Sequence, residues 1–371
     1  MLRTAFRFMF YDKTKTIGAA VGVIVAIFLI GQQTGIFIFL TGLMSSLVDN
    51  SSAQVWVVGS NVKDVNNLSA LDIRKGNEIR SIKGVKEVYP LVISGSTMKL
   101  QNGKITPVRL IGSEAPDFVG GPWNVVNGKT SDLVNYRSVA ADKFDLRNLG
   151  DINVGDRVEI GGKMVIIKAI TSGARGFGAN YIFTDISLAA ELGNFPDYKV
   201  SAFLVNIKKG YSPNGVTGRI NSTFTGIKAW TKKDFSKSTV KEILKDGGIG
   251  QSIGSLILFA LVAGSVIIGL TLYSAAIDRL SDYATMKAIG ANRKYVTRLI
   301  LLQAFIIAIA GFVIGALLIV GFKYGVKNSG LRFSFSTLMW IIFFALTLII
   351  SITGAYFASR NIRNVEPSKV F

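Results

Sequence analysis

Residues 16–48 read TIGAAVGVIVAIFLIGQQTGIFIFLTGLMSSLV, 33 positions without a charged side chain. As a helix rising about 1.5 Å per residue, this run would be about 50 Å long, against about 30 Å of bilayer hydrocarbon. Three more charge-free runs follow, at 247–277, 299–322 and 333–359, of 31, 24 and 27 residues. Each exceeds the roughly 20 residues that cross a membrane. The chain therefore reads as an α-helical membrane protein with four transmembrane helices. The first run is too long for the apolar core of a cleaved leader and is taken as a retained span.

The composition of the 371 residues narrows the chemistry. Zero Cys excludes disulfides and thiolate sites, and zero His excludes the usual zinc sites and His-based triads. The charge-free runs also lack the intramembrane carboxylates and bases that proton- and ion-coupled transporters carry. Gln32, Gln33 and Gln303 are their most polar residues and read as interhelical hydrogen-bonding groups. The net charge of +19 is spread along the chain rather than gathered on one face, so no nucleic-acid partner is expected.

Lys and Arg near the spans set the orientation. Residues 1–15, 278–298 and 360–371 hold twelve of them between them, whereas the short 323–332 segment holds three, Lys323, Lys327 and Arg332. Both termini and the 278–298 loop are thus expected in the cytoplasm, and the long 49–246 segment outside. The expected order is an in-plane amphipathic helix over 1–16, carrying Leu2, Phe6, Met9 and Phe10 with Arg3 and Arg7 to one side. Then come span one with a stalk (17–47), a periplasmic domain (48–230), and a stalk with span two (231–277). A cytoplasmic coupling loop (278–298), span three (299–322), a short periplasmic loop (323–332), span four (333–359) and a cytoplasmic tail (360–371) complete it.

The outer segment reads as mixed α/β. Strand-like stretches are Gln54–Val58, Val85–Ser94, Ser96–Leu100 and Ile105–Ile111, with a turn signal at Asn102-Gly103. Ser69–Ile82 reads as a helix, and 112–135 as loop. Val154–Ile160 and Met164–Ile170 flank Gly161-Gly162 as a hairpin. Ser187–Leu192 is a short helix, and Val200–Ile207, Pro213–Phe224 and Ile227–Trp230 form a strand–helix–strand unit. The order predicts an α/β subdomain built from both ends around a β-rich insertion, on long helical stalks that include an amphipathic helix at 231–246. The glycine-rich 173–178 stretch is expected to be mobile.

Gly128-Lys129-Thr130 imitates the end of a phosphate loop, but Trp123 stands where its first glycine belongs, so this chain shows no nucleotide site. Small-xxx-small pairs at Gly18/Gly22, Gly31/Gly35, Gly250/Gly254 and Gly311/Gly315 predict close helix approach.

The loop between spans two and three is the most specific segment. It runs RLSDYATMKAIGANRKYVTRLILLQA from Arg279, helical in composition with a stop at Gly290 and a basic restart. It resembles the signature of the MacB/FtsX/LolC-type ABC transporter permeases in Arg279, Asp282, Ala288-Ile289-Gly290-Ala291, Arg293 and Gln303. Arg360, Arg363, Glu366 and Pro367 resemble that family's closing motif, and 34–58 looks closest to the DevC-like branch. Met286 stands where many members have Leu, and Ala284 where some have Glu.

The resemblance implies a homodimer of permeases, paired with a separate ABC ATPase subunit that alone binds ATP. It implies no catalytic or cofactor-binding residue in this chain. Arg279, Asp282, Met286, Ala288, Ile289, Gly290, Ala291 and Arg293 would form the ATPase-coupling site. Mechanotransmission to the outer domain would drive export together with a periplasmic membrane-fusion protein and an outer-membrane channel. Alternatives are a lipoprotein-releasing permease, an FtsX-like regulator of a cell-wall hydrolase, or a receptor without an ATPase.

Overall fold

The computed structural model describes residues 1–11, 13–100, 103–145, 153–246, 248–327 and 330–363. The chain divides into two compact units, one of residues 1–39 and 251–371, the other of residues 40–250.

The helical unit begins with α1 (Leu2–Tyr11), followed by α2 (Lys13–Met44). Its later members are α8 (Ile249–Ile277), α9 (Leu280–Ala288), α10 (Arg293–Gly325) and α11 (Thr337–Arg363). Four of them are long and apolar enough to cross a membrane: Thr16–Met44, Gly250–Ile277, Lys294–Gly325 and Thr337–Phe357. Small and branched apolar residues pack them together, among them Ala19, Val23, Ala26 and Ile27 of α2 with Ile268 and Leu272 of α8. Much of the remaining apolar surface faces outward, as at Leu258, Phe259, Leu270 and Leu317, which suits a lipid surround.

Two expectations in this unit need correction. Residues 333–336 precede the fourth helix rather than belonging to it. Phe333 and Phe335 instead stack edge-on at 5.3 Å, Phe333 also meeting Phe322 and Phe335 meeting Trp340. The helix expected over 1–16 is described over Leu2–Tyr11, and Lys13–Thr16 belong to α2.

The outer unit adds α3 (Ser46–Asn50), α4 (Lys75–Arg80), α5 (Ile186–Leu192), α6 (Pro213–Thr223) and α7 (Lys232–Asp246). Its strands are β1 (Val55–Gly59), β2 (Leu71–Asp72), β3 (Val85–Lys99), β4 (Ile105–Ser113), β5 (Val125–Gly128) and β6 (Ser138–Asp142). They continue with β7 (Arg157–Ile160), β8 (Lys163–Thr171), β9 (Asn180–Asp185), β10 (Lys199–Val200), β11 (Ala202–Ile207) and β12 (Ile227–Thr231). One sheet runs β12-β1-β11-β3-β4-β9-β6-β8-β5, and β7 pairs with both β3 and β8.

That double pairing closes β3, β4, β9, β6, β8 and β7 into a ring of paired strands. Val92, Leu110, Val139, Val158, Ile167 and Ile182 share its core. The β-rich insertion is therefore not a separate sheet. β3 is one continuous strand where two had been expected: its first half pairs with β11 and its second with β4.

In the other half, strand alternation sends Val55 and Val57 to one core, with Ile79 of α4 and Val216 and Ile220 of α6. Trp56 and Val58 enter another, with Leu47 of α3 and Phe235 of α7. A strand buried on both faces reads as the unbroken apolar run VWVV.

The helix expected over 69–82 shrinks to α4, because Leu71–Asp72 pairs with β10 and Asp72 takes the backbone N–H of Arg74 at 2.9 Å. The 112–135 segment is not wholly loop. It holds the edge strand β5 and a 3-10 turn at Thr130–Val134. Gly161 and Gly162, with φ of 57° and 77°, form the two-residue turn between β7 and β8, as left-handed hairpin turns demand.

Candidate functional site

The segment joining α8, α9 and α10 is a helix–corner–helix unit built by its own residues. Gly290, at φ 104°, ends α9. Its N–H donates to the carbonyl of Lys287 at 3.0 Å, and the N–H of Ala291 to that of Met286 at 2.9 Å. This bond pair is a Schellman cap, whose left-handed position favours glycine. Two residues on, the side chain of Asn292 accepts from the N–H of Lys294 at 3.3 Å and caps the start of α10. Ile-Gly-Ala-Asn is thus a stop and a restart in four residues.

The expected coupling residues separate into two groups. Asp282, Ala288, Ile289 and Gly290 face outward; Ile289 is 83% exposed. Met286 and Ala291 are half-buried and pack against the helical core. Arg279 is buried, with Tyr283 and Ala284 beside it on the inner face. The side chains of Arg293, Arg360 and Arg363, and all of residues 364–371 with Glu366 and Pro367, lie outside the described residues.

The inward group forms a polar cluster at the head of the helices. Arg279 Nη2 donates to Thr16 Oγ1 at 2.7 Å, and that hydroxyl donates to the carbonyl of Met9 at 2.7 Å. Tyr283 Oη donates to Gln303 Oε1 at 2.9 Å. Burial pushes the Tyr283 hydroxyl up to about 12, so it stays protonated and keeps donating. Thr16, Ala276, Arg279, Ile300 and Gln303 line one small cavity. Arg279 and Gln303, 24 positions apart in the sequence, thereby share one pocket that also takes in the start of α2.

The glycines expected to pack helices do so unevenly. A Cβ on Gly22 would strike Thr271 of α8, and one on Gly31 would strike Ile319 of α10. One on Gly35 would stand 2.7 Å from Phe333, one on Gly311 2.6 Å from Val23, and one on Gly315 2.9 Å from Ile27. Among the described residues, a Cβ on Gly18 or Gly254 has nothing within 4 Å, and the nearest atoms to one on Gly250 belong to Leu244 of α7. Half of two pairs therefore makes no helix contact.

In the outer unit, the two stretches that lead from and to the long helices are fastened to one loop. Asn66 Nδ2 donates to the carbonyl of Met44 at 3.1 Å, and Arg109 Nη1 donates to Asn66 Oδ1 at 3.1 Å. Asp64 holds Asn66 and Asn67 through bonds of 2.9 to 3.0 Å. The N–H of Val65 donates to Thr239 Oγ1 of α7 at 3.1 Å. The Asp64–Asn66–Asn67 bonds are local, but those to Met44, Arg109 and Thr239 join segments 22 to 174 positions apart, so nothing local in the sequence marks them.

The start of the glycine-rich stretch belongs to the same construction, fastened at Gly173, Ala174 and Arg175. The buried Asp142 carboxylate takes the N–H groups of Gly173 and Ala174 and the hydroxyl of Thr171. Arg175 Nε pairs with Asp145 Oδ1 at 2.6 Å, and the Arg175 carbonyl accepts from Ser46 Oγ of α3 at 2.5 Å. Burial, with a smaller push from Asp142, raises the Asp145 carboxyl to about 6 despite the opposing pull of Arg175. Asp145 Oδ2 is buried without a partner among the described residues.

Comparison with known proteins follows these two regions. Residues 16–223 match the family model of the MacB-like periplasmic core domain, and residues 254–367 that of the FtsX-like permease C-terminal region. An uncharacterized ABC transporter permease of Methanocaldococcus jannaschii is 21% identical over 269 residues. That match covers 68% of this chain and 64% of the relative, so the chain spans less than two thirds of it. The periplasmic region of MacB from Actinobacillus actinomycetemcomitans aligns with a TM-score of 0.40 at 12% identity, over 54% of this chain and 98% of that structure. The extracellular domain of the noncanonic ABC-type transporter YknZ from Gram-positive bacteria aligns at 0.36 and 14%, over 48% and 99%.

Proposed function

The chain belongs to the ABC transporter permeases of MacB/FtsX type, a membrane and not a catalytic family, and from that premise we propose that it couples a separate cytoplasmic ABC ATPase to work done by its outer domain. The ATPase would bind and hydrolyse ATP, and this chain would receive the motion at Asp282, Met286, Ala288, Ile289, Gly290, Ala291 and Arg293. One observation carries the reading. Ile289 stands 83% exposed on a capped corner whose other face is tied into the helical core through Arg279 and Tyr283. An exposed branched apolar side chain on a rigid tip suits insertion into a partner's groove.

The rest of the proposal concerns what the motion does. The chain would sit in the bacterial inner membrane with both termini cytoplasmic and the outer domain periplasmic, as a homodimer. The long helices would carry the stroke to the loop around Asn66 and to Ser46, which hold both halves of the outer domain. Substrate would be handled outside, in concert with a membrane-fusion protein and an outer-membrane channel. Supporting this, the apolar runs offer no charged group for a substrate path.

The test is co-purification of the tagged full chain in mild detergent, followed by ATP hydrolysis measurements. Recovery of an ABC ATPase and a membrane-fusion protein is the expected result. Recovery of the ATPase with a cell-wall hydrolase would replace export by regulation. Recovery of neither would remove the coupling proposal.

A further inference from the structure

The first helix divides its circumference three ways. At about 100° per residue, Ala5 and Met9 point one way, and Leu2, Phe6 and Phe10 occupy the next about 80°. Arg3 and Arg7 begin about 20° beyond Phe10 on the same wheel. Ala5 and Met9 are buried in the helical core, where α1 packs against α10. Leu2 and Phe10 are 60% and 64% exposed. Phe6 is exposed too, and stacks on Phe10 at 6.3 Å. Arg3, Arg7, Tyr11 and Lys13 are also exposed, and the helix has no acidic residue.

We propose that α1 is a binding surface for anionic phospholipid, with Leu2, Phe6 and Phe10 in the acyl boundary and Arg3, Arg7 and Lys13 on headgroup phosphates. Three observations select lipid over a protein partner. The apolar strip borders the arginines directly, as the two sides of a lipid interface require. The helix ends beside Thr16, where the first membrane-spanning stretch begins, so its strip lies at the boundary of that span. Residues 1–15 carry Arg3, Arg7, Lys13 and Lys15 against the single acidic Asp12, a net positive charge that favours an anionic over a zwitterionic surface.

The surface bears on the coupling site through bonds already described. The carbonyl of Met9 in α1 accepts from Thr16, and Thr16 accepts from Arg279 at the head of α9. A lipid-held α1 would therefore steady the residue that anchors the coupling corner. The lipid inference rests on the reading of the long helices as membrane spans and not on the ATPase, so the two readings fail separately.

The experiment places the full chain in nanodiscs of phosphatidylcholine alone or mixed with phosphatidylglycerol, and follows amide hydrogen exchange over residues 2–11. Exchange should slow by about tenfold when phosphatidylglycerol is present. The difference should shrink at high salt and vanish in the Arg3→Gln/Arg7→Gln variant. Phe6→Ser/Phe10→Ser should speed exchange in both lipids. Equal exchange in the two lipids, or a difference that survives loss of both arginines, would overturn the proposal. Protection that follows protein concentration or added ATPase instead of lipid would assign the face to a protein and overturn it equally.

Discussion

Arg279 and Thr16 lie 263 positions apart in the chain and 2.7 Å apart in the fold. The guanidinium is buried, and the hydroxyl it reaches is itself fixed to the carbonyl of Met9. Thr16→Val keeps the shape and removes the oxygen. We expect a loss of about 1 to 3 kcal/mol, the cost of stripping an acceptor from a buried charged donor. Thermal unfolding of the full chain in detergent would measure it, and Thr16→Ser should restore most of the loss. Equal stability of all three chains would show that the bond carries nothing.

Gly290 is held at a left-handed backbone angle by the cap of α9. Gly290→Ala should cost about 1 to 2 kcal/mol, and Pro at Met286 should break the helix. Both should lower the ATPase activity of a reconstituted complex while the outer domain keeps its circular dichroism. Unchanged activity in the Pro variant would argue against docking at this corner.

Gly31 and Gly18 make a matched contrast within one helix. Gly31→Leu places a side chain against Ile319, whereas Gly18→Leu enters open space. The first should destabilise by about 1 to 3 kcal/mol, the second by less than about 0.5 kcal/mol. Comparable melting temperatures for the two variants would contradict the described helix packing.

The raised carboxyl of Asp145 fixes the sign of a pH effect. Its folded value of about 6 lies above the ordinary 3.8. Its contribution is therefore complete below about pH 4 and is lost as pH rises through about 6. Relative to Asp145→Asn, the natural chain should lose about 1 to 3 kcal/mol over that window. Carboxylates held low, such as Glu191 beside Lys163, act in the opposite direction, so the comparison between variants matters more than either melting curve. A difference that does not change with pH would mean that Asp145 titrates normally.

What the sequence discloses here follows from physical range. The four spans are legible because hydropathy accumulates along the chain, and the Ile289–Asn292 corner because caps use neighbouring residues. The Gly161-Gly162 hairpin is legible for the same reason. The continuity of β3 is not, since only pairing with β11, β4 and β7 distinguishes one strand from two. Nor are Ser46, Asn66, Arg109 and Thr239, whose partners lie far along the chain. The fastening of the glycine-rich 173–178 stretch is not legible either, because glycine permits flexibility and also permits the close turns that Asp142 holds. Gly18 misleads because its spacing repeats a packing motif that its surroundings do not complete.

The exposed tip at Ile289 tests the central claim most directly. A photo-crosslinking residue at position 289 of the full chain, in membranes that contain the co-purified ATPase, should form a crosslink to that ATPase. Its yield should change with bound ATP, while the same probe at Val126 on the outer unit should give none. Ile289→Asp should weaken the association by about tenfold or more and leave the melting temperature unchanged. A probe at 289 that never reaches an ATPase, with the complex otherwise intact, would contradict the account.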